Sequence, residues 1–389
     1  METNCVIYKN FNTKQKLVNK RKLTKFLNFR ILFKKYPLLK SFTNNYDYTF
    51  KKKNLKNLKK YIEFNLIGMG GSILGAQAIY DFLNHKIKKK FFFFNNLQNF
   101  NILKSNKKRL NIIISKSGNT LETIVNSNFF INRNDKNIFI TENKKNYLNN
   151  LANKLKSEVI EHKNYIGGRF SVLSEVGMLP AELMGLKEKK FKQFNNLITK
   201  KYFLNNLINN VISISDLIKN KKYNSVILNY DDGSDDLFKW YQQLVSESLG
   251  KKSKGIIPII SSMPKDNHSL LQLYLSGFNK NFFTFFIVSE KNSMKIKDSL
   301  LLESYKFLKN KNVFQILNSQ RIATQNIFKK KNIPFRSFYI KQRNEETLGE
   351  LFCFFTLEVI LLSNLMKVNP LDQPQVELVK KETFNLLRK

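Results

Sequence analysis

Twice in the first third of the chain, a short β-branched or aromatic run breaks into a turn of small residues and resumes as a helical pattern. Phe64–Ile67 runs into Gly68-Met69-Gly70-Gly71-Ser72 and then Ile73–Leu83. Leu110–Ile114 runs into Ser115-Lys116-Ser117-Gly118-Asn119-Thr120 and then Leu121–Phe130. Strand, tight turn and helix in this order imply parallel strands joined by crossovers, with helices covering both faces of the sheet. Lys90–Phe94 and Asn137–Thr141 read as further strands, and Tyr147–Leu155 as a helix.

A second alternating block begins near Lys200. Tyr223–Leu228, Gly255–Ile260 and Asn281–Val288 read as strands, and Phe335–Ile340 is expected to close that sheet. Asp236–Leu249, Ser269–Leu275 and Ser319–Phe328 read as helices. Two more helical segments, Thr347–Met366 and Gln375–Leu387, follow on either side of Asn369-Pro370. A chain of 389 residues is too long for one ordinary core. The expected fold class is α/β: two doubly wound parallel-sheet domains with a C-terminal helical extension. The expected division is a helical lead-in at 1–45, a first domain at 46–195, a second at 196–364 and a C-terminal helix at 365–389.

Charge is the feature most open to misreading. Lys plus Arg is 67 against 29 acidic residues, a net +38, which first suggests a nucleic-acid binder. Only nine of the 67 are arginine, while Lys, Asn, Phe, Ile and Tyr abound and Gly and Pro are scarce. Those are the residues of A/T-rich codons, and base reading leans on the bidentate fork of Arg. The lysines also run along the whole chain. No nucleic-acid partner is expected. Met1–Lys20 has no apolar core of a signal peptide, and Leu351–Met366 falls short of the ~20 apolar residues of a bilayer span, so it reads as a buried helix. With only Cys5 and Cys353, a reducing, cytoplasmic setting without membrane contact is expected.

Chemistry concentrates at the turns. In open α/β sheets ligands sit beyond the carboxyl ends of the strands. Gly68–Ser72 offers glycines for a close backbone approach. Ser115–Thr123 packs four hydroxyls, a Gly and a Lys where a strand ends and a helix begins, which suits a phosphate group. N-capping by Thr120 would need one hydroxyl, not four. The order of Gly and Lys is not that of a Walker loop, so a phosphorylated metabolite fits better than a nucleotide. Gly167-Gly168-Arg169 spends a rare arginine beside a Gly-Gly pair. Gln242–Lys251 carries Glu247, Ser248, Gly250 and Lys251 at a helix end. Asn267-His268-Ser269 holds one of three histidines, and Asp372–Lys380 opens the last helix. No His- or Cys-rich cluster has metal-ligand spacing, so no metal is expected.

Taken in order, these segments resemble the glucose-6-phosphate isomerase family, and in particular its shorter bacterial branch. The matching stretches are IGMGGSILGA (Ile67–Ala76), ISKSGNTLET (Ile114–Thr123), IGGRFSVLSEVGMLP (Ile166–Pro180) and WYQQLVSESLGKKSKGIIP (Trp240–Pro258). DNHSL (Asp266–Leu270), TLGELFCFF (Thr347–Phe355) and VNPLDQPQVELVK (Val368–Lys380) complete the series. The resemblance runs from about residue 60 to the C-terminus. It implies two sugar-isomerase (SIS), flavodoxin-like domains and interconversion of glucose 6-phosphate and fructose 6-phosphate through a cis-enediol.

The resemblance also implies roles. Glu247 would move the proton between C1 and C2, and Arg169 beside Gly168 would stabilise the enediolate. His268 and Lys380 would open the ring, with His268 supplied by the neighbouring subunit of a homodimer. Gly71, Ser72, Ser115, Lys116, Ser117, Thr120 and Thr123 would bind the phosphate end, and Gln373 the sugar. Proton transfer alone implies no cofactor. Thr356 and Gln375 depart from the family's usual Glu and Gly, and Ser246 from its usual residue before the base. Competing expectations are a SIS-domain sugar-phosphate regulator without catalysis and an isomerase of another hexose phosphate.

Overall fold

The computed structural model describes residues 5–11, 23, 28–98, 109–131, 135–290 and 292–388. Among the described residues, ten strands form two five-stranded sheets. The first contains β2 (Glu63–Gly68), β3 (Lys90–Phe94), β4 (Arg109–Ile114), β5 (Lys136–Thr141) and β6 (Glu158–Glu161), all parallel, in the order β3-β2-β4-β5-β6. That is the flavodoxin-like order, and the sheet changes direction of winding between β2 and β4. β2 is buried along its whole length, as a strand covered on both faces must be.

The second sheet repeats the plan with β7 (Asn224–Asn229), β8 (Ile257–Ser262), β9 (Asn281–Val288) and β10 (Phe335–Ile340), in the order β10-β9-β7-β8. Its fifth strand comes from the other end of the chain. β1 (Val6–Lys9) lies antiparallel outside β10, pairing Val6 with Ile340 and Lys9 with Ser337. The expectation of a helical lead-in over 1–45 is therefore corrected at this stretch, as is the expectation that Phe335–Ile340 closes the sheet. Four residues are too few for a periodicity to declare itself; the pairing with β10 and the burial of Val6 and Tyr8 mark the strand. A helix does follow at Phe29–Lys35 and a 3-10 segment at Pro37–Phe42; the rest of the lead-in between 12 and 27, apart from Leu23, lies outside the described residues.

The halves meet through helices. Leu74–Phe82, which follows β2, packs against Asp235–Leu249, which follows β7. Glu345–Met366 packs against Lys201–Lys219 and against Asp235–Leu249. This 22-residue helix, longer than the 16 residues read from its apolar stretch, is apolar enough to cross a membrane, yet 83% of its most apolar window is buried inside the protein. Trp240 and Phe352 meet edge to face at 4.8 Å, within the range aromatic pairs prefer. One core cluster takes in residues from both halves. The helix bearing Glu247 is thus clamped between the sheets.

Candidate active site

The site is built on the winding switch of the first sheet. β2 and β4 are neighbours in register, Gly68 beside Ile114, so the turns that follow them emerge side by side. After β2 the chain makes a 3-10 turn at Gly70–Ser72, with Gly70 at φ +53°, a conformation that costs glycine nothing. Gly71 is pressed against the second glycine pair: a Cβ there would lie 2.1 Å from the carbonyl carbon of Gly168 and 2.5 Å from the amide nitrogen of Arg169. The Ser171 hydroxyl fastens the two segments, donating to the carbonyls of Gly71 at 3.1 Å and Gly168 at 2.7 Å.

This contact delivers Arg169. The residue is 4% exposed, and its guanidinium bonds to four residues on two segments of the chain. Nη1 donates to Glu247 Oε2 at 2.7 Å and to Gln373 Oε1 at 2.8 Å. Nη2 donates to the carbonyls of Pro370 at 2.6 Å and Asp372 at 3.0 Å. Nε is buried with no partner among the described residues. A planar fork with fixed charge is the side chain able to serve so many acceptors at once. Sequence reading selected Arg169, Glu247 and Gln373 separately, and the structure brings all three together.

Gln243 was not singled out. It lies one turn before Glu247 and donates Nε2 to Glu247 Oε1 at 2.8 Å, so the carboxylate is gripped on both oxygens. Its own Oε1 is buried with no partner among the described residues. The i, i+4 spacing from the carboxylate was the signal that could have found it.

The hydroxyl loop after β4 is largely self-organised. Ser115 and Thr120 share a hydrogen bond of 2.8 Å between their hydroxyls, and the Gly118 amide donates to Ser115 at 3.2 Å. Ser117 accepts from the Asn119 amide at 3.2 Å. Thr120 stands at the N-cap of Leu121–Phe130 but makes no capping bond with its side chain, so capping does not explain the loop. Thr123 Oγ1 is buried and has no partner among the described residues. Lys116 donates to the Asn164 carbonyl at 2.7 Å and lies 3.5 Å from Glu142, and burial lowers its pKa. Ser72 is half-buried on the neighbouring turn.

Two expected residues stand apart. His268 ends a short 3-10 turn after β8 and is exposed. Lys380 is exposed on Pro374–Leu387, a helix with no buried residue, and pairs with Glu377 at 2.7 Å. Neither makes a hydrogen bond or ion pair with Arg169 or Glu247 among the described residues. The departures from the family pattern separate too. Thr356 is fully buried in the core helix, with Glu358 nearby sealed in an ion pair with Arg336 and a 3.0 Å hydrogen bond from Tyr241, while Gln375 is exposed.

Two flavodoxin-like sheets, with a guanidinium–carboxylate pair where their helices meet, define a two-domain, doubly wound α/β fold. A structure of a putative phosphosugar isomerase from Bacillus subtilis shares it, with a TM-score of 0.51 at 14% identity over 83% of this chain and 94% of that one. A hypothetical protein from Thermus thermophilus superposes more fully, with a TM-score of 0.80 at 22% identity over 96% of this chain and 94% of the other. The sequence model of the family described as phosphoglucose isomerase matches residues 34–261. The glucose-6-phosphate isomerase of Methanocaldococcus jannaschii is 32% identical, over 86% of this chain and 88% of its own length. That of Mycoplasmopsis pulmonis is 33% identical, over 83% and 82%. The chain belongs to the phosphoglucose isomerase family.

Proposed function

We propose that the chain interconverts glucose 6-phosphate and fructose 6-phosphate, with Glu247 moving the proton between C1 and C2. The observation that carries this reading is the grip on Glu247. Arg169 holds one carboxylate oxygen and Gln243 the other, at 2.7 and 2.8 Å, and the glycine turn that packs against Arg169 follows the strand paired with the one leading into the hydroxyl loop. A carboxylate fixed at one end of a sugar-phosphate site can take a proton from one carbon and return it to the next. The Arg169 charge, together with its unpartnered Nε, can then stabilise the enediolate oxygen.

The phosphate end falls to Ser115, Ser117, Thr120 and Thr123, with the backbone of Gly71 and Ser72 alongside. The unpartnered Thr123 hydroxyl supports that assignment. Lys116, already engaged by Asn164 and Glu142, adds positive field to the loop. Gly168 brings Arg169 into place, and Gln373 reaches the sugar beside it. His268 and Lys380 open the ring once a second copy of the chain is present, His268 entering the site of the neighbouring subunit. Their exposure supports a homodimer. So do the exposed Met294, Leu300, Leu302 and Phe307, and the helix Pro374–Leu387 that buries nothing. The free thiols of Cys5 and Cys353 suit the cytoplasm.

The test is conversion of fructose 6-phosphate by the purified chain, coupled to an enzyme specific for glucose 6-phosphate, with gel filtration of the same sample. Turnover by a dimer is expected. Tight sugar-phosphate binding without turnover would establish the non-catalytic regulator instead.

A further inference from the structure

Arg169 is not the only cation that reaches the segment Asn369–Gln373. Lys251 lies just past the end of the helix bearing Glu247, four residues beyond the carboxylate. Its ammonium donates to the Asn369 carbonyl and, at 3.3 Å, to that of Ser248, and it pairs with Asp372 Oδ1 at 3.0 Å. The segment is also closed on itself: the Asn369 amide group donates to Asp372 Oδ2 at 3.0 Å, and the Leu371 backbone donates to Asn369 Oδ1 at 3.1 Å.

Two cations therefore hold one small loop. Arg169 takes the carbonyls of Pro370 and Asp372, and Lys251 takes the carbonyl of Asn369 and the carboxylate of Asp372. The helix that follows contributes no buried residue. Its placement depends on how the loop is held. The Lys251 side chain is 12% exposed and that of Asp372 51%. Burial lowers the pKa of Lys251, opposed by Asp372, and the hydrogen bond from Lys251 holds the Asp372 carboxyl below the usual carboxylate range.

We propose that Lys251 is a positioning residue for the reaction: through Asn369 and Asp372 it sets where Gln373 and the helix carrying Lys380 stand relative to Glu247. The proposal rests on the isomerase reading of the site. A lysine suits this task because its three donors on one nitrogen can diverge to two carbonyls and a carboxylate that lie around a single point. Lys251 touches none of the phosphate-end hydroxyls in the described contacts, so its removal leaves that end of the site standing.

The experiment is steady-state isomerisation of fructose 6-phosphate by the full chain, with hydrogen exchange across 374–387 read on the same preparations. The series comprises the parent, Lys251→Met, Asp372→Asn, Lys251→Asp, Asp372→Lys and the charge-exchanged pair of the last two. Each single change is expected to lower kcat about tenfold or more while KM moves less than about threefold, because alignment is lost and not affinity. Exchange across 374–387 is expected to rise, and the charge-exchanged pair to recover turnover lost by both of its components. Parental kcat in Lys251→Met, or unchanged exchange in a slowed variant, would overturn the proposal. Asp372 is half exposed, so Asp372→Asn keeps the test open should Lys251→Met not fold. A parent that binds sugar phosphate without turnover would overturn the isomerase reading, a different failure visible in the first sample.

Discussion

Arg169 donates one nitrogen, Nη1, to both Glu247 at 2.7 Å and Gln373 at 2.8 Å, so a single atom links the carboxylate to the start of the last helix. The guanidinium is nearly sealed from solvent, whereas the Glu247 side chain keeps 26% of its surface exposed. The pair is thus fixed on the protein side and open on the side a substrate would enter. Catalytic electrostatics work best from groups held in place before the charge develops.

Arg169→Lys keeps the charge and loses the fork. A lysine ammonium cannot cover Glu247, Gln373 and the carbonyls of Pro370 and Asp372 from the same position. Steady-state kinetics are expected to show kcat/KM reduced about 10²–10³-fold. A variant within twofold of the parent would show that charge alone suffices.

Gly71→Ala tests the close approach of the two glycine turns. Its added methyl would lie 2.1 Å from the Gly168 carbonyl carbon, a backbone atom with no rotamer to escape into. Thermal or denaturant unfolding is expected to show a loss of about 1–3 kcal/mol. Activity is expected to fall with it, because the shift moves Arg169. An equally stable and active variant would mean that the turns are not in contact.

Thr123→Val separates a ligand-binding hydroxyl from a structural one. Its Oγ1 is buried and has no partner among the described residues, so removing it spares a desolvated group and leaves stability unchanged or slightly raised. If the hydroxyl meets phosphate, KM is expected to rise about 10–100-fold with kcat much less affected. A large stability loss with unchanged KM would assign Thr123 to packing.

His162 predicts a pH dependence. Burial pushes its pKa down to about 4, with the neighbouring Lys116 acting in the same direction and the Lys163 carbonyl and Glu142 against it. The native state thus resists a proton that the unfolded chain accepts below its ordinary value near 6.5. The stability this group contributes is complete above about pH 6.5 and declines as pH falls to about 4, by about 3 kcal/mol in all. Urea unfolding at several pH values is expected to show a flatter profile for His162→Gln than for the parent across that window. Parallel profiles would mean that His162 titrates normally.

How much of this was legible in the sequence depended on contrast. Lys90–Phe94, Asn281–Val288 and Phe335–Ile340 stand at the residues expected because each is a β-rich run ended by polar or turn residues. Glu175–Leu183 carries no helical signal in the sequence because it is buried on every side, so no amphipathic stripe forms, and Pro180 sits inside it. Val6–Lys9 is defined by a partner more than 300 residues away, which no local pattern encodes. At the site, glycine and hydroxyl turns marked Gly71, Ser115 and Arg169 by residue type. The carbonyls of Pro370 and Asp372 that hold Arg169 belong to the backbone and carry no residue signature.

The central claim is that Glu247 moves the proton between C1 and C2. It is tested most directly by following deuterium from D₂O into the sugar phosphate during isomerisation by the parent and by Glu247→Gln, with sugar-phosphate binding measured on both. Deuterium incorporation in the parent is expected, together with a loss of both incorporation and turnover of about 10²–10⁴-fold in Glu247→Gln at near-parental binding. Turnover and deuterium incorporation at parental rates in Glu247→Gln would contradict the account and place the base on another residue.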